Sequence, residues 1–407
     1  MSLEALVNAN QYKVTLGASA VSVGFKAGLE DVVATTSAIC TVDGTAGQLR
    51  YRGYDINDLV GQTVFEEVTY LLWFGDLPNA ATLERFRREL AAERTLPGPV
   101  LDAMQRFPTQ VHPLEALRTA VSLHAMYDPD AHDNAPDANR RKSVRLTALM
   151  ATLVAAWRRI RDGRPAVPPD PSASHAVNFL QMLGGAAPSP DSVAAMEAVL
   201  VLHAEHELNA STFAARVATA TVSDLHSAVV SAIGTLKGPR HGGANEDVLA
   251  MLEEIGTPER AEPYIRGRLE TLSKMSRAER ADPRHRIPGF GHRVYKVDDP
   301  RAAHLRALGR RLAANAGVLD IAEAAEATYR VMHAETRLPV NVDFFSAVIY
   351  RALGIPIDLC TSIFAVSRIP GWCAHIMEQC ADNRLIRPRA EYTGSGPRAF
   401  VPLAARP

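Results

Sequence analysis

The chain has 407 residues, of which 47% are hydrophobic and 22% charged, with a formal net charge of −1 at pH 7. That composition is ordinary for a globular protein with a large core, and the near-neutral balance gives no bulk attraction to nucleic acid or an anionic membrane. No apolar run reaches the ~18 residues a membrane span needs, and no basic region followed by a hydrophobic block marks a secretory signal.

Residues 1–27 are weakly patterned and read as an N-terminal arm. Ala38–Gly44 and Gln48–Gly53 then read as two short strands around a glycine-containing turn, the one clear β signal in the chain. Helical patterns follow. Thr63 with Glu66 three residues on forms a capping box for a run through Phe74 that Gly75 ends. Asn79 to Arg94 is amphipathic, and Ser143 to Arg161 carries a buried-type stripe from Leu146 to Ile160. The polar stretches Asp128–Lys142 and Arg161–Ser174 read as exposed loops.

Helical patterning from Asp191 to about Thr221 contains Leu202-His-Ala-Glu-His-Glu-Leu-Asn209. On a helix through this stretch, His203 and His206 would share a face. A metal pair, a buried structural pair and a ligand contact all remain open, although HExxH order is absent and no third ligand is placed. Further helices are expected over 242–276, 302–314, 321–335, 344–353, 357–366 and 372–382, with an irregular tail from Pro388. Cys40, Cys360, Cys373 and Cys380 form no CxxC pair and no zinc spacing, so they read as reduced thiols packed as small hydrophobes in a cytoplasmic protein.

Three segments carry the chemistry. Gly238-Pro-Arg-His-Gly-Gly-Ala-Asn245 holds His241 in a tight turn before a helical pattern, where a helix N-terminus would lower the imidazole pKa and keep the ring neutral. Ile287 to Arg301 sets His292 behind Gly289 and Gly291, with Arg301 just after Pro300. A histidine donor beside a guanidinium fork suits a small oxygen-rich anion; a Gly/Pro-rich surface loop is the plainer reading. Asn341-Val-Asp-Phe-Phe345 puts Asp343 before an apolar run, either as a helix N-cap or as a base whose pKa burial would raise.

In order, GPxHGGAN, PGFGHRVYK..DPR and NVDF resemble the citrate synthase family, and the resemblance runs from about Gly28 to about Gly394. Tyr51–Ile56 is also similar to the family's opening motif. The resemblance implies a mainly α fold of two helical domains with a short N-terminal β-hairpin. The large, dimer-forming domain would comprise 28–241 and 354–407, and the small one 242–353, with a cleft that closes between them.

It further implies condensation of acetyl-CoA with oxaloacetate and hydrolysis of citryl-CoA to citrate and CoA. Asp343 would be the base, His241 the donor to the thioester oxygen and His292 the donor to the keto carbonyl. His206, Arg301, Arg368 and Arg387 would bind oxaloacetate, with Arg387 serving the partner subunit of a homodimer. Arg293 and Lys296 flank the His292 loop and read equally as contacts for the phosphates of coenzyme A or as a solvated pair of charges. No metal and no tightly bound cofactor are expected. Arg240 departs from the leucine usual in the first motif.

Three rivals stand beside this reading. A 2-methylcitrate synthase would use propionyl-CoA with the same residues, since one methylene discriminates by only ~1–3 kcal/mol. A non-catalytic acyl-CoA-binding relative would have lost one of His241, His292 and Asp343, all of which are present. A metal-dependent hydrolase would use His203 and His206. The short stretch before Gly28 leads to the expectation of a dimer without the NADH control of hexameric forms.

Overall fold

The computed structural model describes residues 26–30, 32–280 and 282–406, so nearly all of the expected N-terminal arm lies outside the described residues. Two compact units result: residues 37–386, and a small one joining 26–36 to 387–406. The small unit holds a 3-10 turn at Ala27–Leu29, a second at Leu403–Ala405 and otherwise irregular chain.

The large unit opens with the expected hairpin. Strand β1 (Cys40–Asp43) pairs antiparallel with β2 (Gln48–Tyr51) in the register Cys40↔Tyr51 to Asp43↔Gln48, and a two-residue β3 (Tyr54–Asp55) extends the sheet. A Cβ on Gly44 in the hairpin turn would lie 2.2 Å from the Val294 carbonyl oxygen, and the Lys296 amide donates to the Gly44 carbonyl at 2.8 Å. The turn therefore buttresses the loop that follows His292.

The rest of the large unit is helical. Helix Pro136–Arg161, buried almost continuously from Ser143 to Trp157, packs on helix Cys360–Ala381, buried from Cys360 to Ile376. Hydrophobic burial of this kind, at ~25 cal/mol per Å², is the main stabilising term of such a core. The first of these helices begins seven residues before Ser143, inside a stretch expected to be loop. Pro136 sits in its first turn, where a missing N–H costs nothing, and the polar residues after it are compatible with helix.

Other boundaries shift for identifiable reasons. Helix Phe65–Phe74 is capped by the Glu67 carboxylate, which accepts the Val64 amide at 3.0 Å. Glu66 instead turns inward to accept the His175 amide at 2.8 Å, and Thr63 bonds the Leu59 carbonyl. Gly75 ends that helix with φ +94°, as expected. The two helices expected over 357–366 and 372–382 are one, running through Pro370 and Gly371. The Trp73 indole N–H donates to the Pro370 carbonyl at 3.0 Å, and packing on all sides outweighs the interior proline.

Gly371 lets this helix approach its neighbour. A Cβ there would lie 2.3 Å from both the Ala204 carbonyl oxygen and Glu205 Oε2. Gly→Ala inside a helix ordinarily gains up to about 1 kcal/mol. Gly371→Ala is expected to do the reverse, destabilising by about 1–3 kcal/mol through overpacking. Urea denaturation checks the sign.

Candidate active site

Two of the three motif segments are joined by backbone hydrogen bonds in the large unit. The Gly291 amide donates to the Pro339 carbonyl at 2.7 Å, the Asn341 amide to Gly289 at 2.9 Å and the Asp299 amide to Val340 at 3.0 Å. These bonds tie the His292 loop to the segment before Asp343. Gly289 makes the contact possible: its φ is +83°, and a Cβ would lie 2.5 Å from the Phe344 ring.

Asp343 is the second residue of helix Val342–Ala352, and Asn341 takes the N-cap, accepting the Asp343 amide at 3.1 Å. The capping role open in the sequence is thus filled by another residue. Asp343 Oδ1 is shut off from solvent with no hydrogen-bond partner. Burial pushes its pKa from 3.8 up to about 7, against the pull of Arg301 and Arg368 and with some help from Asp299.

Each imidazole is wired to present one N–H. His292 Nδ1 accepts the amides of Val294 and Tyr295, both at 3.0 Å, so the proton of the neutral ring sits on Nε2. Its pKa is lowered to about 4, by burial first and Arg301 second. His241 Nε2 lies 2.8 Å from the Ser211 hydroxyl and accepts the Ser211 amide at 3.3 Å, which puts the ring proton on Nδ1. Its pKa is also lowered to about 4, by burial and then Arg368. The helix after it starts only at Ala244, so desolvation rather than a helix N-terminus neutralises this ring.

His203 and His206 do not share a helix face. Helix Pro190–His203 ends at His203, and His206 lies in the break before helix Ala210–Ala220. His203 Nδ1 donates to the Val199 carbonyl at 2.8 Å, and burial lowers its pKa to about 3. His206 Nε2 lies 3.2 Å from the Tyr295 hydroxyl, and its ring centroid is 5.4 Å from that of His292. Burial, then Arg301, holds its pKa well below the usual histidine value.

The two buried guanidiniums differ. Arg301 is paired through Nε and Nη2 with Asp299, at 2.9 and 2.7 Å, and Asp299 outweighs burial to hold its pKa above the usual arginine value. Arg368 has no ion pair among the described residues. Its Nε donates to the His203 carbonyl at 2.5 Å, its Cζ lies 4.8 Å over the Phe364 ring, and its Nη1 has no partner. A buried, unpaired cation is a site for an anion.

Arg293 and Lys296 are exposed beside the His292 loop, and Arg240 is exposed before His241. Arg387 is exposed and belongs to the small unit.

Several contributors were given no role by the sequence, although Tyr51 and Glu205 lie in stretches it singled out. Glu205 Oε1 accepts the His206 amide at 2.8 Å and faces His375 Nε2 at 3.1 Å, while Arg216 Nε donates to His375 Nδ1 at 2.9 Å. Tyr51 donates to the Glu205 carbonyl at 2.9 Å. Ser211 also accepts the Trp372 indole N–H at 3.1 Å. Asp299 was legible: an aspartate before Pro300 is a helix N-cap pattern, and it accepts the Arg301 amide at 3.0 Å.

A buried carboxylate with its pKa near neutrality, two neutral imidazole donors and two buried guanidiniums suit acid–base chemistry on a small carboxylate-bearing molecule. The comparisons narrow that class. The profile described as citrate synthase, C-terminal domain, matches residues 28–389. Citrate synthase 2 of Bacillus subtilis is 49% identical, the alignment covering 93% of this chain and 98% of that one. A 2-methylcitrate synthase of Mycobacterium tuberculosis is 42% identical, with 92% of each chain covered. The solved citrate synthase of Thermoplasma acidophilum, a ternary complex with carboxymethyl coenzyme A and oxaloacetate, superimposes with a TM-score of 0.86 at 32% identity, covering 94% of this chain and 100% of that one. The chain belongs to the citrate synthase family. It is an enzyme of the citrate (Si)-synthase acyltransferase type.

The Asp343 shift also predicts a stability effect. With a folded pKa of about 7 against 3.8 unfolded, the native state binds the extra proton between those values. Asp343 therefore costs stability progressively as pH rises from about 4 to 7, and the cost is constant above. Asp343→Asn should become increasingly stabilising over that window and level off beyond it. Thermal unfolding of both proteins from pH 4.5 to 8.5 measures this; a pH-independent difference would contradict the shift.

Proposed function

We propose that the enzyme condenses acetyl-CoA with oxaloacetate, in the cytoplasm, and releases citrate and CoA. The observation that carries the residue roles is the orphaned, buried Asp343 carboxylate, on a segment hydrogen-bonded to the His292 loop, together with two oppositely wired neutral imidazoles. Arg368, without an ion pair, takes one oxaloacetate carboxylate, and Arg301 with His206 holds the other end. His292 Nε2–H donates to the keto oxygen and polarises its carbon.

Asp343 removes a methyl proton from the acetyl thioester while His241 Nδ1–H steadies the developing enolate oxygen. The methyl carbon then bonds to the keto carbon, whose oxygen takes a proton and becomes the citryl hydroxyl. Water cleaves the thioester, giving citrate and CoA. Arg293 and Lys296 meet the CoA phosphates, and segment 242–353 closes against 28–241 and 354–407 to exclude bulk water.

Steady-state CoA release with oxaloacetate, comparing acetyl-CoA with propionyl-CoA, tests this directly. A higher kcat/KM for acetyl-CoA is expected; a propionyl preference would move the enzyme to methylcitrate formation with the same residue roles. Asp343→Asn should lower kcat by about 100-fold or more with oxaloacetate affinity largely kept, and near-normal turnover would remove it as the base.

The enzyme is further proposed to be a homodimer in which Arg387 completes the partner's site. Supporting this, helices Pro113–His124 and Leu225–Leu236 border a groove in which Phe107, Leu123, Met126 and Val230 line up with Arg118, Thr119 and Ser122, and Met126 is 78% exposed. Sedimentation should give a dimer. Mixing Arg387→Leu chains with Asp343→Asn chains should restore activity, because the hybrid then contains one intact site. Absence of recovery would place Arg387 outside the partner's site.

A further inference from the structure

Away from the candidate active site, the end of one helix meets the start of another through three buried groups. His124 is the last residue of helix Pro113–His124, Asp128 follows the 3-10 turn Ala125–Tyr127, and His226 is the second residue of helix Leu225–Leu236. Their relative exposures are 3%, 7% and 1%. His124 Nδ1 lies 3.3 Å from His226 Nε2, which lies 3.3 Å from Asp128 Oδ2, and the three ligand atoms all fall within 4.8 Å of one another.

Hydrogen bonding alone leaves this cluster incomplete. His226 Nδ1 is buried without a hydrogen-bond partner, and Asp128 Oδ2, also buried, has only the 3.3 Å approach of His226 Nε2. A proton on His226 Nε2 faces two acceptors and cannot serve both well. Buried polar atoms left in that state cost about 1–3 kcal/mol each.

The spacings have a second meaning. Bonds of about 2.0–2.1 Å at tetrahedral angles put neighbouring donor atoms roughly 3.3–3.4 Å apart, whereas octahedral bonds of that length put them at about 3.0 Å. Both measured edges match the tetrahedral value. The supporting contacts also fit. Asp128 Oδ1 is held by Arg145 at 2.5 Å and by the Asp130 amide at 2.9 Å, leaving Oδ2 to point inward. His226 Nδ1, on the far side of the ring, lies 4.0 Å from Asp224 Oδ1, the carboxylate position that commonly orients a metal-bound imidazole.

We propose that His124 Nδ1, His226 Nε2 and Asp128 Oδ2 form a binding site for a tetrahedral divalent transition cation, of which Zn(II) fits the bond lengths, with one coordination position left for water. The ion would clip the end of helix Pro113–His124 to the start of helix Leu225–Leu236. Around the site, Asp130, Asp133 and Asp224 offset the charges of Arg141, Lys142 and Arg145, so the surroundings do not exclude a dication.

A second group, His206, His292 and Asp299, also comes within 4.8 Å. There both Asp299 oxygens accept from Arg301, and His292 Nδ1 is taken by two amides, so that group is already committed.

The test uses the full chain, stripped with chelator and then freed of it. Titration with Zn(II) by calorimetry should show one equivalent bound per chain and a rise in Tm. His226→Phe and His124→Gln should each lose at least about 10-fold in affinity and the Tm rise, while keeping wild-type turnover after chelation. Co(II) should give the intense visible absorption of a tetrahedral site. No Zn(II) uptake, uptake unchanged in both variants, or the weak absorption of octahedral Co(II) would each overturn the proposal.

Discussion

The constraint on which the site depends is the burial of two guanidiniums of which only one, Arg301, has a carboxylate ion-pair partner among the described residues. Asp299 pairs with Arg301, and Arg368 is left with a carbonyl, an aromatic face and an unsatisfied Nη1. Removing a charge from water costs several kcal/mol even after relaxation, so this arrangement favours anything that brings negative charge to Arg368. The same positive field, added to desolvation, keeps His203, His206, His241 and His292 neutral. It also opposes the burial that lifts Asp343, so the carboxyl comes to rest near neutrality rather than far above it.

Holding so many polar groups in place requires backbones to approach more closely than side chains allow. Gly289 lets the His292 loop lie on Phe344, and Gly371 lets the helix carrying Arg368 press against Ala204 and Glu205. Glu205 in turn accepts the His206 amide and faces His375, which accepts from Arg216. The geometry of His206 is therefore set from helix Cys360–Ala381 as well as from its own segment.

What the sequence made legible follows from how local each signal is. The hairpin, the Gly75 stop and the stripe from Leu146 to Ile160 depend on neighbours within a few residues, and they stand where expected. The Pro370 break and the shared face of His203 and His206 failed because tertiary packing decided them: Trp73 reaches Pro370, and the chain turns out of its helix after His203. His241, His292, Asp343, His206, Arg301 and Arg368 could be named from ordered motifs. Ser211, Glu205, Tyr295 and Trp372 could not, because each acts through a contact distant in sequence.

The opposite wiring of the two donors has a chemical consequence. His292 is fixed through Nδ1 by its own loop, whereas His241 is fixed through Nε2 by a serine on another helix. Both rings offer a neutral N–H, a donor far less acidic than imidazolium. Such a donor stabilises an oxygen as charge develops on it without surrendering a proton to the resting substrate, so its advantage grows toward the transition state. Desolvation supplies that neutrality here, and of these two rings and Asp343 it is the carboxyl whose pKa lies near 7.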